Sequence, residues 1–152
     1  KILISVQVMD LNGNVKVIYA SDIKFAYRKC DLDSNLIFIS ATFKGKSDSK
    51  NNIQKKMNSL TERKKKDQPS KIKTCGSTFK NPENNKAWKL IKDSGCAGMS
   101  IGDAHISKKH CNFFINTKNS SFSDMNKLID YVKKEVKKKT GIEIETEIEI
   151  IG

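Results

Sequence analysis

Lys73-Thr-Cys-Gly-Ser-Thr-Phe-Lys-Asn-Pro82 gathers backbone donors, a hydroxyl, an ammonium and an amide into ten residues that end on a turn-forming proline. Gly76 permits a close backbone approach, Ser77 offers a hydroxyl, and Pro82 pushes Asn81 towards an extended conformation that frees its amide to point away from the chain. A Gly-Ser turn closing a strand is the plain reading; a ligand-binding turn is the sharper one. The stretch also divides the chain. A completed strand and helix lie before it, and a helix, strand and helix follow.

Working back towards the N-terminus, Asp67-Gln-Pro-Ser70 is a polar, proline-containing break, which places a domain boundary there: residues 1–66 and 67–152. Before the break, Asp48 to Lys65 carries a single apolar stripe of Ile53, Met57 and Leu60 and ends in Arg63-Lys-Lys-Lys66, cations that suit a helix C-terminus. Leu36 to Phe43 is apolar on both faces and predicts a buried central strand. Phe25-Ala-Tyr-Arg-Lys-Cys30 has no period and reads as a loop or short helical turn. Residues 2–9 and Val15 to Tyr19 read as strands joined by the turn Asp10-Leu-Asn-Gly-Asn14, a hairpin.

Working forward, Asn84 or Asn85 is placed to cap a helix with Ala87, Trp88, Leu90 and Ile91 on one face, stopped by Gly95, and Trp88 reads as a core anchor. Gly95 to Gly102 is glycine-rich but matches neither a dinucleotide fingerprint nor a P-loop. Asn112 to Asn116 reads as a strand. A helix capped near Ser123 turns Met125, Leu128, Ile129, Val132 and Val136 inward. Ile142 to Ile150 alternates strictly, so a strand would line up Ile142, Ile144, Thr146, Ile148 and Ile150 against Glu143, Glu145, Glu147 and Glu149.

Length and composition bound the function. The 152 residues, 37% hydrophobic with two prolines, suffice for one domain or two small ones. No apolar run approaches the roughly 20 residues of a spanning helix, and KILISVQVMD lacks a signal-peptide core, so a cytoplasmic protein without a membrane partner is expected. Cys30, Cys75, Cys96 and Cys111 are 45, 21 and 15 positions apart. That spacing gives no CxxC pair and no metal site, and it suits reduced thiols acting as small hydrophobes. The formal charge of +12 invites a nucleic-acid reading. Lys50 to Cys75 holds nine Lys/Arg against two Asp/Glu, but without the interleaved aromatics that stack bases. The preferred reading is therefore no nucleic acid, with a lysine-rich surface and a local basic patch for an anionic small molecule; a basic nucleic-acid-binding module is the rival.

With these pieces in order, the sequence resembles the C-terminal part of the UDP-N-acetylenolpyruvoylglucosamine reductases, flavoenzymes of bacterial peptidoglycan synthesis also called UDP-N-acetylmuramate dehydrogenases. The match is carried by Tyr27-Arg28, Gln68-Pro69, Gly76-Ser-Thr-Phe-Lys-Asn-Pro82, Ala87-Trp-Lys-Leu-Ile91, Gly95-Cys96, Ser107-Lys-Lys-His-Cys-Asn-Phe-Phe-Ile-Asn116 and Glu147-Ile-Glu-Ile-Ile-Gly152, in the family's order and spacing. The pairing of AWKLI with HCNFFIN looks most like alphaproteobacterial members.

The resemblance implies an α/β (α+β) fold: a small antiparallel sheet with packed helices as substrate-binding domain (67–152), preceded by the C-terminal remnant of an α/β FAD-binding domain (1–66). It implies an oxidoreductase that uses NADPH and FAD to reduce the enolpyruvyl ether of UDP-N-acetylglucosamine enolpyruvate to UDP-N-acetylmuramate. Ser77 would give the proton to the carbanionic carbon, while Arg28 and Glu147 would polarise the substrate carboxylate and stabilise the enolate-like intermediate. Tyr27, Asn81 and His110 would bind substrate, with Lys64 and Lys65 near the diphosphate. The flavin contacts would lie mostly in an N-terminal part that this chain lacks, so the fragment alone is expected to be inactive, and a monomer. A non-catalytic nucleotide-sugar binder is the further alternative. Departures from the family pattern are Cys30 where serine is common, Ala97 where a basic residue is common, and Asp103 in place of a second glycine after Gly102.

Overall fold

The computed structural model describes residues 2–151, so Gly152, the last residue of the closing motif, lies outside the described residues. The chain divides into two compact units, residues 1–53 and 54–152. The division falls inside the helix α1 (Lys50–Asp67).

The first unit is a three-stranded antiparallel sheet in the order β2 (Val15–Tyr19), β1 (Leu3–Met9), β5 (Ile37–Phe43). Strands β1 (Leu3–Met9) and β2 (Val15–Tyr19) form the expected hairpin, with Ser5 opposite Tyr19 and Met9 opposite Val15. Its turn is set by Asp10, whose Oδ1 accepts the Asn12 and Asn14 amides at 2.9 Å each, while Gly13 takes a left-handed φ of 85°. These hydrogen bonds, those from Asn14 first, hold the Asp10 carboxyl below its ordinary value. The core is small: Val6, Val8 and Ile23 are buried, with Leu3, Ile18, Leu32 and Leu36 packed on them.

Three expectations for this half change. Strand β5 (Ile37–Phe43) pairs with β1 at the sheet edge and is exposed throughout, so it is neither central nor buried. An apolar run shows what a strand can bury, and among the described residues only β1 lies beside it. The segment from Phe25 is neither loop nor helical turn: β3 (Phe25–Ala26) and β4 (Lys29–Cys30) make a minimal hairpin around Tyr27 and Arg28. Its tight reversal places Arg28 at φ 59°, the left-handed region where a side chain is strained. Helix α1 forms as predicted and ends in lysines, but its stripe buries nothing; Ile53, Met57 and Leu60 are all exposed.

The second unit carries a four-stranded antiparallel sheet, in the order β6-β9-β8-β7, made of β6 (Lys73–Ser77), β7 (Ser100–Ile101), β8 (Ala104–Ile106) and β9 (Phe113–Asn116). Helices α2 (Ala87–Asp93) and α3 (Phe122–Thr140) complete it. This is the mixed α/β architecture expected, an antiparallel sheet with packed helices. Helix α3 begins at Ser121, two residues before the predicted cap, in a capping box: the Ser121 hydroxyl accepts the Asp124 amide at 3.1 Å, and Asp124 Oδ2 accepts the Ser121 amide at 3.0 Å. It ends at Gly141, left-handed at φ 72°. Leu128, Ile129, Val132 and Val136 face inward and join Phe79, Leu90, Ile91 and Ile106 in one core. Each fully buried side chain of this kind contributes about 1.5–3 kcal/mol.

Helix α2 buries Ala87, Leu90 and Ile91, but Trp88 is 40% exposed and is no core anchor. Neither Asn84 nor Asn85 caps it. The Ala87 amide goes instead to Asn81 Oδ1, at 3.0 Å, across the loop that Pro82 begins. The C-terminal stretch is likewise not a strand. It runs alongside Thr78 to Lys80 with one bridge, Phe79 opposite Thr146. Pro82 explains the brevity, because the next rung of that ladder falls on a residue with no N–H to give. The alternation survives in the packing: Ile144 is buried and Ile142 and Ile148 lie on the core, while Ile150 is exposed.

Candidate functional site

The turn at Gly76-Ser77 is built by three local decisions. Gly76 is left-handed at φ 87°, and the pairing of β6 with β9 slips between Thr74 and Ser77, a bulge that sets Ser77 opposite Phe113. The Gly76 amide turns to Thr74 Oγ1 at 3.3 Å. Beyond Ser77 the ladder is completed by a side chain. Asn112, buried, accepts the Phe79 amide on Oδ1 at 2.9 Å and donates Nδ2 to the Phe79 carbonyl at 2.8 Å, while its own carbonyl accepts the Thr78 amide at 2.8 Å. A buried amide satisfied in this way holds the backbone on either side of it.

On the other side of Thr78 to Lys80 runs the C-terminal stretch. The Glu147 amide donates to the Thr78 carbonyl at 2.8 Å and the Lys80 amide to the Glu145 carbonyl at 2.9 Å. The fold thus brings Ser77 and Glu147, 70 positions apart, to adjoining backbone. Both are half-buried. The neighbouring rungs are committed elsewhere: Lys80 Nζ lies 3.2 Å from Glu145 Oε2, and Lys137 Nζ 2.5 Å from Glu143 Oε1, which holds the Glu143 carboxyl below its ordinary value. Of the four alternating glutamates, Glu147 is the half-buried one beside the Ser77 turn, whereas Glu143, Glu145 and Glu149 are exposed.

His110 lies at the same end of the sheet. Its ring meets Phe113 edge-on at 4.8 Å and Trp88 at 6.4 Å, tilted by 55°. Burial depresses its pKa, an effect only partly opposed by hydrogen bonding and by Asp67. Nδ1 accepts the Asn112 amide at 3.3 Å, so the neutral ring carries its proton on Nε2. Lys64 and Lys65 occupy the last turn of α1; Lys65 Nζ lies 2.8 Å from Glu62 Oε1, and the Lys65 carbonyl accepts from Lys109 Nζ. Asn81 is exposed, with its Oδ1 engaged on α2. Arg28 and Tyr27 belong to the first unit, where the guanidinium sits 4.9 Å over the Tyr27 ring.

Two clefts flank the turn. One of about 580 Å³ is lined by Lys80, Lys133, Lys137, Glu143 and Glu145; the other, about 440 Å³, by Cys75, Thr78, Phe114, Phe122 and Ile148. Ser77, Asn81, His110 and Glu147 line neither. Among the departures, Cys30 and Ala97 are exposed, and the Asp103 carboxylate accepts the Asn119 amide at 3.3 Å. Among the described residues no three His, Cys, Asp or Glu side chains converge as a metal site.

Asn112 was not singled out by sequence reasoning. The available signal was an asparagine, poor in strands, opening the apolar run Phe113 to Ile115. The Trp88–His110 contact joins two elements far apart in sequence and left no local trace.

A family model described as UDP-N-acetylenolpyruvoylglucosamine reductase, C-terminal domain, matches residues 68–151. The chain is 54% identical over 153 aligned residues to the UDP-N-acetylenolpyruvoylglucosamine reductase of Pelagibacter ubique, covering 99% of this chain and 51% of the relative. It is 43% identical to that of Rhodopseudomonas palustris, covering 99% and 48%. The crystal structure of the Thermus caldophilus reductase superposes with a TM-score of 0.82 at 30% identity, over 97% of this chain and 52% of that one. The chain therefore spans about half the length of the relatives it matches. The family model, the relatives and the superposed crystal structure agree, so this chain belongs to the UDP-N-acetylenolpyruvoylglucosamine reductase family, and residues 68–151 match its C-terminal domain.

Proposed function

We propose that this chain is the substrate-binding half of a reductase that converts UDP-N-acetylglucosamine enolpyruvate to UDP-N-acetylmuramate in the bacterial cytoplasm, with NADPH and FAD in the whole protein. The observation that carries this reading is the backbone bond from Glu147 to Thr78, which brings the backbone of a glutamate alongside the bulged turn that bears the serine. Reduction of an enolpyruvyl double bond leaves charge delocalised into the substrate carboxylate and a carbon that must be protonated. Ser77 is the proton donor in this reading, and Glu147 and Arg28 polarise the carboxylate. A hydroxyl is a weak acid, so it serves only when held in place against a strongly basic carbon. Gly76, the bulge and the Asn112 amide supply that positioning.

The glycine-rich Gly95 to Gly102 connection does not fit a flavin. At Gly98 an added Cβ would meet the Lys108 side chain at 2.7 Å, and at Gly102 it would meet the Asp124 carboxyl at 2.9 Å. Those close approaches are already filled by the protein's own side chains rather than left for a dinucleotide. In this reading FAD is held by the remainder of the longer protein, residues 1–66 are the tail of its binding domain, and the protein is monomeric.

The test is Ser77→Ala in the whole protein. NADPH should reduce the flavin at nearly the normal rate, while reoxidation by the enolpyruvyl sugar slows by about 10²–10⁴-fold, the usual contribution of a positioned proton donor. Equal slowing of both half-reactions would remove Ser77 from this role.

A further inference from the structure

The cleft of about 580 Å³ beside α3 lies outside the site at Ser77, and its volume falls in the range that small-molecule sites occupy. Four ammonium groups line it, those of Lys80, Lys133, Lys134 and Lys137, against the two carboxylates of Glu143 and Glu145. Those carboxylates are already engaged. Glu145 Oε2 lies 3.2 Å from Lys80 Nζ, and Glu143 Oε1 lies 2.5 Å from Lys137 Nζ. Among the described residues, no carboxylate lies within ion-pair distance of Lys133 or Lys134.

The helix dipole does not account for these two lysines. Cations in the last turn of a helix offset its dipole, and Lys137, Lys138 and Lys139 occupy that turn of α3; Lys133 and Lys134 come before it. Lys133 is also four residues from Lys137, a like-charge spacing that costs a helix stability. Glu143 relieves Lys137, whereas Lys133, half-buried, has no such partner. Asp130, one turn before Lys134, accepts a hydrogen bond from Asn126 instead. Lys80 reaches the cleft from the segment after β6 and the other three lysines from α3, so cations stand on two of its walls.

An ammonium is a compact point charge that suits phosphate oxygens. Two uncommitted ammonium groups match the charge of one phosphate monoester near neutral pH, about −1.5 to −2. We propose that this cleft binds a dianionic phosphate group, free or as the monoester of a small molecule. Lys133 and Lys134 are its principal cations, and Lys80 and Lys137 add to the field while they keep their glutamates. The site goes beyond the reduction proposed at Ser77 and does not depend on it.

The whole protein is titrated with inorganic phosphate and with glycerol 3-phosphate at a constant ionic strength of about 0.15 M, where exposed charges are screened beyond roughly 8 Å. The amide signals of residues 133–137 and 143–146 are followed by NMR. They should shift to saturation with phosphate and stay in place with chloride at the same ionic strength. Equal affinity for the two probes identifies phosphate itself as the ligand, and tighter binding of glycerol 3-phosphate identifies the monoester. Replacing both lysines, Lys133→Gln with Lys134→Gln, should weaken binding roughly 10- to 100-fold, as the loss of charge-assisted hydrogen bonds does. Lys133→Arg with Lys134→Arg keeps the charge and should retain most of the affinity, with circular dichroism confirming the fold of each variant. Shifts that chloride reproduces, that never saturate, or that a folded glutamine pair leaves unchanged overturn the site. So does an arginine pair that binds no better than the glutamine pair. The two readings fail separately, because none of these substitutions touches Ser77, Arg28 or Glu147.

Discussion

The two units use the same vocabulary of antiparallel strands and capped turns, but they differ in what they bury. In the second, helix α3 and the sheet enclose a core that includes Phe79, Ile91, Ile106, Leu128, Val132 and Val136, all essentially inaccessible. In the first, Val6, Val8 and Ile23 are the buried apolar residues, and β5 leaves Ile37, Phe38, Ile39 and Phe43 each about half-exposed or more. Apolar content is therefore no guide to where stability resides. What differs is the second layer, which helices supply in one unit and which no described residue supplies for β5.

The largest effect expected from this contrast is a pair of phenylalanine truncations. Phe79→Ala should destabilise the second unit by about 3–5 kcal/mol, whereas Phe38→Ala should change the stability of the first by no more than about 0.5 kcal/mol. Denaturant unfolding followed by amide exchange in each unit checks both, and comparable losses would erase the distinction. Next in size is Asn112→Leu, which keeps the volume but strands the Phe79 N–H and C=O. A loss of about 1–3 kcal/mol for each stranded group is expected, with faster exchange at Thr78 and Glu147.

A matched pair isolates backbone strain. Gly13 and Gly76 have φ of 85° and 87°, and an added Cβ at either would meet nothing within 4 Å. Gly13→Ala and Gly76→Ala should each cost about 1–2 kcal/mol from conformation alone. The first should show in the hairpin and the second at the candidate site, and a large difference between them would reveal coupling that the local geometry lacks.

The smallest effects are electrostatic. Asp10 and Asp124 are both held below an ordinary carboxylate value of 3.8 by hydrogen bonds from their own local segments. A depressed folded pKa gives stability that is present above the ordinary value and lost as pH falls through the folded one. Side-chain titration by NMR should therefore place both midpoints below 3.8. Asp10→Asn should remove the acid-dependent loosening of the first hairpin, and Asp124→Asn that of the start of α3.

Much of this fold was legible where local chemistry decides it. The Asp10 to Asn14 turn fixed the hairpin, and the spacing of Leu128, Ile129, Val132 and Val136 fixed the buried face of α3. Legibility failed wherever a distant residue decides. Leu36 to Phe43 carried a core-strand pattern without its covering layer, Trp88 shared a buried helix yet faces His110, and the C-terminal alternation lost its ladder to Pro82. The candidate site was legible residue by residue only through the family pattern, which singles out Glu147 among four similar glutamates. In the structure Glu147 is half-buried and its backbone adjoins the Ser77 turn, whereas Glu143, Glu145 and Glu149 are exposed.

The bond from Glu147 to Thr78 also has a kinetic side. It closes a loop of 69 positions, spanning both helices and three strands of the sheet, and the entropy of closing so long a loop must be met before the contact returns anything. The serine turn can form early, on the short-range constraints of Gly76 and the bulge. Its glutamate neighbour arrives only when residues 142–150 come back to dock across that long loop, so in the folding of this domain the proposed chemistry would assemble after the turn that holds the serine.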